Sequence, residues 1–330
     1  MSRANNQKLK LYRLKDIMLK KTDEAHALTM PQILEELEKC EVSAERKSIY
    51  TDLELLEELG VEITGTKEGK YTYYAVSGRE FELPELKLLV DAIQSSKFIT
   101  IRKSKELIRK LENFCSEYEA KQLQRQVFVQ DRIKTMNESI YYSVDTIHNA
   151  ITMNKQIRFQ YYKWNIRGEQ ELKRDGAFYR ISPWALVWDD ENYYLVGFDN
   201  EADCIKHYRV DKMLKITMTD DARCGKEHFA KWNAADYAKK NFAMFGGNEE
   251  NVDVEIENDM CGIFFDRFGQ DIRIIPIDKS HSRVHLKVAL SDHFLGWIFA
   301  LGDKVRLVGN DTVMGRAREF IVRLHSQYNA

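Results

Sequence analysis

ISPWALVWDDENYYLVGF, residues 181 to 198, decides how the second half of this chain folds. Apolar runs stand on both sides of the aspartate-rich stretch Asp189 to Asn192, so the segment reads as two strands joined in a hairpin. IKHYRVDKM, residues 205 to 213, supplies a further strand. Just upstream, Ile157, Phe159 and Tyr161 alternate with Arg158, Gln160 and Tyr162, which is the period of two that a strand requires. Short strands at this density imply a small β-barrel in which every second side chain points inward. Arg158, Tyr179, Arg180, Ser182, His207, Tyr208 and Arg209 bring cations and aromatic rings into that fold. Cation plus stacking surface is the combination that binds a nucleotide or single-stranded nucleic acid. Arg209, a lone arginine among core strands, needs a partner, whereas Trp184, Tyr193 and Tyr194 also fit as plain core.

Toward the N-terminus, Leu11, Leu14, Ile17 and Met18 recur at helical spacing. Arg3, Lys8, Lys10, Arg13, Lys15, Lys20 and Lys21 surround them, with Asp16 as the only acid. Thr29 and Gln32 have the form of a capping box, so a second helix is expected there, burying Ile33, Leu34 and Leu37. Ser43 is placed to cap a third helix whose inner face is Ile49, Leu53 and Leu56. Its outer face offers Ala44, Lys47, Tyr50, Thr51 and Glu54, small or hydrogen-bonding groups that a major groove accepts. Gly60 stops the helix, Val61 and Ile63 begin a strand, and Gly65 to Lys70 read as a turn before the aromatic strand Tyr71 to Tyr74. Lys67 and Lys70 then sit at the tip of a hairpin wing.

Between these parts, Leu88, Leu89, Ala92 and Ile93, then Ile108, Leu111 and Phe114, mark helices separated by a polar bend at Ser95 to Thr100. They read as a spacer and dimerisation element, and Arg102, Lys103, Lys105, Arg109 and Lys110, interleaved with Glu106 and Glu112, fit an ordinary solvated helix face better than a DNA contact. Beyond Gly246 to Asn248 a strand, a helix carrying Phe264 and Phe268, two strands, a helix with Trp297, a strand and a last helix give an α+β sandwich of ferredoxin-like order.

The segment Val42 to Ile63 resembles the recognition helix and wing entry of DeoR-like winged helices that open WYL-domain transcriptional regulators. The resemblance implies that Arg46, Lys47 and Tyr50 lie at DNA, with Ser43, Ala44, Ser48, Thr51, Lys67 and Lys70 completing the candidate set. Thr51 stands where relatives often carry an arginine. The Pro-aromatic-x-Leu-Val strand, the hairpin and the Tyr-Arg-x-Asp ending look like a WYL domain, an Sm-like barrel, with Tyr193, Tyr194 and Leu195 in place of Trp-Tyr-Leu and Lys212 where an arginine is common. The last module is similar to the WCX extension that follows many WYL domains. The expected architecture is multidomain α+β: a winged helix-turn-helix over 1–80, a helical connector over 81–144, the WYL barrel over 145–220, a linker over 221–248 and the WCX domain over 249–330.

Composition agrees with a globular protein: 330 residues, 44% hydrophobic and 31% charged. The net charge of −2 says nothing of nucleic acid, so the basic footprint has to be local. No apolar run is long enough to span a bilayer and the polar opening lacks a secretory signal, which points to the cytoplasm. The five cysteines are odd in number and widely spaced, unlike a disulfide framework or zinc knuckle. His281 and His285 have metal-like spacing only on a helix, and in a strand they are too far apart to chelate. Gly60 to Lys67 falls one residue short of a phosphate loop, and no nucleophile elbow, metalloprotease or dinucleotide motif occurs, so neither catalysis nor a cofactor is expected. The function that follows is a ligand-controlled DNA-binding regulator, of repressor type, binding an operator duplex as a homodimer. The alternatives are a nucleic-acid-binding accessory protein of a phage-defence or CRISPR system, and a hydrolase in the C-terminal half.

Overall fold

The computed structural model describes residues 3–123, 134–135, 137, 139–189, 191–230 and 248–329, in two compact units, 1–138 and 139–330. Helices and antiparallel sheets alternate through both.

In the first unit the basic amphipathic opening forms α1 (Arg3–Lys21), followed by the short strand β1 (Leu28–Thr29), α2 (Met30–Lys39) and α3 (Arg46–Glu58). Leu14, Ile17 and Met18 of α1 meet Ile33 and Leu37 of α2 and Ile49, Leu53 and Leu56 of α3 in one core. Each such side chain, fully buried, contributes about 1.5–3 kcal/mol. At the start of α2, Gln32 Oε1 accepts from the Thr29 N–H at 2.8 Å and from its hydroxyl at 2.7 Å, as the capping pattern requires. Strands β2 (Ile63–Glu68) and β3 (Tyr71–Val76) form a hairpin, and β1 adds to the free side of β3. The turn is tighter than its composition implies: Gly65 to Glu68 stay in the ladder, and only Gly69, at φ 59°, and Lys70 reverse the chain. Helices α4 (Leu83–Ser95), α5 (Ile101–Leu111) and α6 (Glu117–Leu123) follow.

Asp23 ties α6 to α1. The Ser116 hydroxyl, the Ala25 N–H at 3.0 Å and His26 Nδ1 at 2.7 Å all reach its nearly buried carboxylate. Burial pushes its pKa up, yet the hydrogen bonds from Ser116, His26 and Ala25 outweigh burial and hold it below the usual carboxylate range. A depressed folded pKa means that this stabilisation is present above pH ~4 and is lost as pH falls through the folded value. Thermal unfolding followed across pH 2 to 7 is therefore expected to lose part of its acid limb in Asp23→Asn, with about 1–3 kcal/mol less stability at neutral pH. An unchanged profile would refute this.

In the second unit α7 (Ile140–Thr152) precedes β4 (Lys155–Trp164), β5 (Gln170–Leu172), β6 (Tyr179–Asp189), β7 (Asn192–Asp199), β8 (Cys204–Arg209) and β9 (Met213–Ala222). The antiparallel order is β5-β4-β6-β7-β8, and β9 returns to pair with β4. The six-stranded sheet thus bends until β9, its last strand along the chain, pairs with β4, with α7 packed on β4, β6 and β9. The β6–β7 hairpin pairs Asp189 with Asn192, as the aspartate-rich turn predicts. A bulge lies between Pro183 and Ala185, opposite Gly197, where an added Cβ would lie 2.4 Å from the Ile181 side chain. Both faces of β4 are covered, so Gln156, Gln160 and Tyr162 are buried along with Ile157 and Phe159.

The start of the expected linker belongs to this fold. Strand β9 continues to Ala222, and Phe229 stacks on Trp184 at 4.8 Å. Residues 231–247 of that stretch lie outside the described residues.

The chain ends with β10 (Glu249–Glu257), α8 (Cys261–Phe268), β11 (Arg273–Pro276), β12 (His281–Ala289), α9 (Asp292–Ala300), β13 (Val305–Val308) and α10 (Asp311–Tyr328). The sheet order is β11-β12-β10-β13. Val252, Val254 and Ile256 alternate inward against Phe264, Phe294 and Ile298 from the helices. On the other face Glu255 pairs with Arg283 at 2.7 Å and with Arg306, and His285 with Asp253 at 2.6 Å.

Candidate functional site

Two places collect the residues singled out from the sequence. The first is the start of α3. Val42 is buried and its N–H bonds the Leu37 carbonyl at 3.0 Å, after which the chain runs extended until Glu45. The N-cap is Glu45 rather than Ser43, because burial of Val42 and Ile49 sets where the helix can begin. Ser43 is left outside the helix, too far forward to reach its first free N–H groups. Lys47 and Thr51 are exposed, while Ala44 and Tyr50 pack partly against the core. Arg46 donates to the Tyr50 hydroxyl from Nε at 3.0 Å and from Nη2 at 2.9 Å, and Tyr50 meets Tyr74 of the hairpin edge-on at 6.5 Å. Ser48 is spent locally, its hydroxyl donating to the Glu45 carbonyl at 2.8 Å. On the hairpin Lys67 is exposed opposite Thr72, and Lys70 lies 5.1 Å from the Tyr71 ring centre.

The second place is the meander of the second unit, and it divides the seven effector candidates. Tyr179 and Tyr208 converge in its interior. Tyr179 stacks on Phe159 at 5.5 Å, Tyr208 stands edge-on to Phe159 at 5.1 Å, and Tyr161 meets Tyr208 at 5.4 Å. Burial pushes the Tyr161 hydroxyl up to about 12 and raises Tyr208 still further, so both stay protonated. Among the described residues the buried Tyr208 hydroxyl has no hydrogen-bond partner. Tyr208→Phe is therefore expected to keep or slightly raise the melting temperature, since the group it removes is desolvated and unpaired. A loss of several degrees would show that the hydroxyl is satisfied in solution.

The other candidates lie elsewhere. Arg180 and Ser182 point to the opposite face, into a cleft of about 500 Å³ shared with Gln156, Asp221 and Cys224. There Arg180 pairs with Asp221 at 3.2 Å and the Ser182 hydroxyl accepts from the Cys224 N–H at 2.9 Å. Arg158 is exposed, bonded to the Thr217 hydroxyl at 3.0 Å. His207 faces away from Tyr208 by strand alternation. Arg209 already has the partner it needs: Asp211, held by Nε at 3.0 Å and Nη2 at 2.9 Å, with Asn192 at 2.9 Å. Burial weighs against its charge, but Asp211 more than offsets this and keeps the guanidinium protonated. It is a strut of the hairpin end rather than an open anchor.

Two further cations, Lys173 and Arg174, lie against these rings. Residues Lys173–Gly176 form a short left-handed turn that folds back over the aromatic group, with Arg174 4.3 Å above Tyr179 and Lys173 5.5 Å above Tyr161. Arg174, Asp175 and Gly176 have φ of 53°, 52° and 82°, a left-handed run that only glycine adopts freely. Gly176 is held by Gln160, whose Nε2 donates to its carbonyl at 2.5 Å. Across the sheet, Arg223 lies 4.1 Å above Trp184.

Among the described residues no group of three or more His, Cys, Asp or Glu could hold a metal ion, and no helix is long and apolar enough to cross a membrane. His281 and His285 each pair with their own aspartate, Asp278 and Asp253.

No curated protein matches the chain in sequence. Proteasome accessory factor B/C (PafBC) of Arthrobacter aurescens aligns as a solved structure over 97% of this chain and 49% of its own length, at 14% identity and a TM-score of 0.27. The chain thus spans about half of that protein, and the score is too low to equate the two arrangements. Residues 143–218 match the WYL domain family, which takes in most of α7 and all of β4 to β8, with much of β9. The meander with its capped aromatic interior is therefore a WYL domain, and the chain is a WYL-domain-containing protein.

Proposed function

We propose that this chain is a transcriptional regulator that binds duplex DNA through α3 and adjusts that binding through its WYL domain. Helices α1 to α3 with the β2–β3 hairpin are read as a winged helix-turn-helix over 1–80, followed by a connector and dimerisation region over 81–144. The meander is read as an Sm-like barrel over 145–220. The last sheet, whose β10 lies between β12 and β13, is read as a ferredoxin-like domain over 249–330.

The observation that carries the reading is the charge order along α3. Its first turn holds the exposed cations Arg46 and Lys47 and no acid, while Glu54, Glu57 and Glu58 crowd its second half. That order opposes the helix dipole, which favours acids first and cations last. Glu45 supplies no side-chain cap either. A helix whose start is left cationic and uncapped is completed by an external anion, and a DNA phosphate supplies one. In the WYL domain, the rings around Phe159 are the proposed stacking surface for a nucleotide or single-stranded nucleic-acid effector. The protein is read as a cytoplasmic, dimeric repressor, and no catalytic, metal or cofactor role is assigned to it.

Selection of duplexes from a random library by the full-length chain tests this. A dimer is expected to enrich paired half-sites about one or two helical turns apart, roughly 10 or 21 base pairs. A recovered pool that binds no better than the starting library, with or without added oligonucleotides, removes promoter recognition and leaves the accessory-protein reading.

A further inference from the structure

Helix α5 carries cations that its own acids do not neutralise. Glu106, the acid on its central turn, accepts from Lys103 at 3.0 Å and lies 3.2 Å from Lys110, so one carboxylate is shared by two lysines. Arg102, Lys105 and Arg109 are all exposed, and among the described residues none of their side chains has an ion pair. Positions 102, 105 and 109 share one face of a helix, rising about 4.5 and 6 Å along its axis. They line an open cleft of about 690 Å³ with Thr100 and Thr135, at whose wall Lys134 donates to the Ile93 carbonyl at 3.0 Å and to Ser104 at 2.7 Å.

Among the described residues no aromatic ring lines this cleft, so none of them offers a base a stacking surface there. A row of cations over about 10 Å instead spans the axial rise of about three nucleotides of one strand, at about 3.4 Å each, within side-chain reach of their phosphates. The segments on either side of α4 and α5 are tied to α1. Arg79 Nη2 donates to the carbonyls of Leu19 at 2.9 Å and Thr22 at 2.6 Å, and Lys21 pairs with Glu117 at 2.8 Å. These bonds join the helices after the hairpin to the end of α1, within the same compact unit as α3.

We propose that Arg102, Lys105 and Arg109 form a second, sequence-independent contact to the DNA backbone, outside α3 and the hairpin. The proposal rests on the reading of α3 as the DNA reader, and its test separates the two. Affinity of the full-length chain for a random-sequence 40-base-pair duplex is measured from 50 to 200 mM KCl. Three phosphate contacts contribute about 2.7 to the slope of log K against log salt, so wild type is expected to lose about 40-fold more affinity across that range than Arg102→Gln/Lys105→Gln/Arg109→Gln. Arg102→Lys/Arg109→Lys is expected to keep the wild-type slope, which separates charge from folding. If the triple variant keeps the wild-type slope while Lys47→Ala lowers it, the α5 contact is wrong and the α3 reading stands. If the lysine variant loses slope as the glutamine variant does, charge is not the cause and the proposal fails. A wild-type chain with no affinity for the duplex at 50 mM removes both readings.

Discussion

Lys47→Ala is expected to weaken binding to every duplex alike and to lower the salt slope by about 1, whereas Tyr50→Ala changes which duplex is preferred. The difference follows from what the two side chains touch. Lys47 is an exposed cation on the first turn of α3, suited to a phosphate that every sequence provides. Tyr50 is held in one pose, its hydroxyl accepting from Arg46 at 2.9 Å while its ring meets Tyr74, and on the proposed reading it would present a fixed edge to a groove. A positioned polar contact to a base discriminates by about 1–3 kcal/mol, which is roughly 5- to 150-fold between the best duplex and one mismatched at that position. Tyr50→Ala is expected to erase that ratio and to loosen Arg46 as well. Tyr50→Phe keeps the ring but frees the guanidinium, and is expected to give the intermediate result. Competition binding with matched and mismatched duplexes reads all three, and identical discrimination ratios across them would show that α3 does not read bases.

Phe159→Ala is expected to cost about 3–5 kcal/mol and to lower the melting temperature of the second unit by about 6–20 °C. Phe159 is fully buried and touches Tyr161, Tyr179 and Tyr208 at once, so its loss leaves a cavity bordered by three large rings that sit on different strands. Those rings cannot all shift inward together. The near-ultraviolet circular dichroism of the tyrosines should fall with the melting point. A drop of less than about 1 kcal/mol would mean that the interior is more loosely packed than described.

Much of the architecture was legible because periodicity and turn chemistry agree. Alternation at Ile157, Phe159 and Tyr161, and the turn at Asp189 to Asn192, each specify a strand or a hairpin without help from distant residues. The site was less legible, since it depends on pairings that periodicity does not encode. Arg209 invited a functional reading as an unpaired core cation, although Asp211 two residues on was the nearby clue to its real partner. Ser43 has the chemistry of a cap, but the anchoring of Val42 and Ile49 moves the helix start past it. Lys173 and Arg174 could not be placed from the sequence, because their positions follow from a backbone excursion with no signature beyond Gly176. Separating Arg180 and Ser182 from Tyr179 and Tyr208 needed the strand register, which one bulge or a one-residue slip reverses.

The turn at Lys173–Gly176 behaves as a loaded spring. Two non-glycine residues in succession at positive φ store about 1–3 kcal/mol each, so the grip of Lys173 and Arg174 on the rings is partly spent in keeping the backbone wound. Lifting the turn would relieve that backbone strain as the ring contacts break, so the one term offsets part of the other.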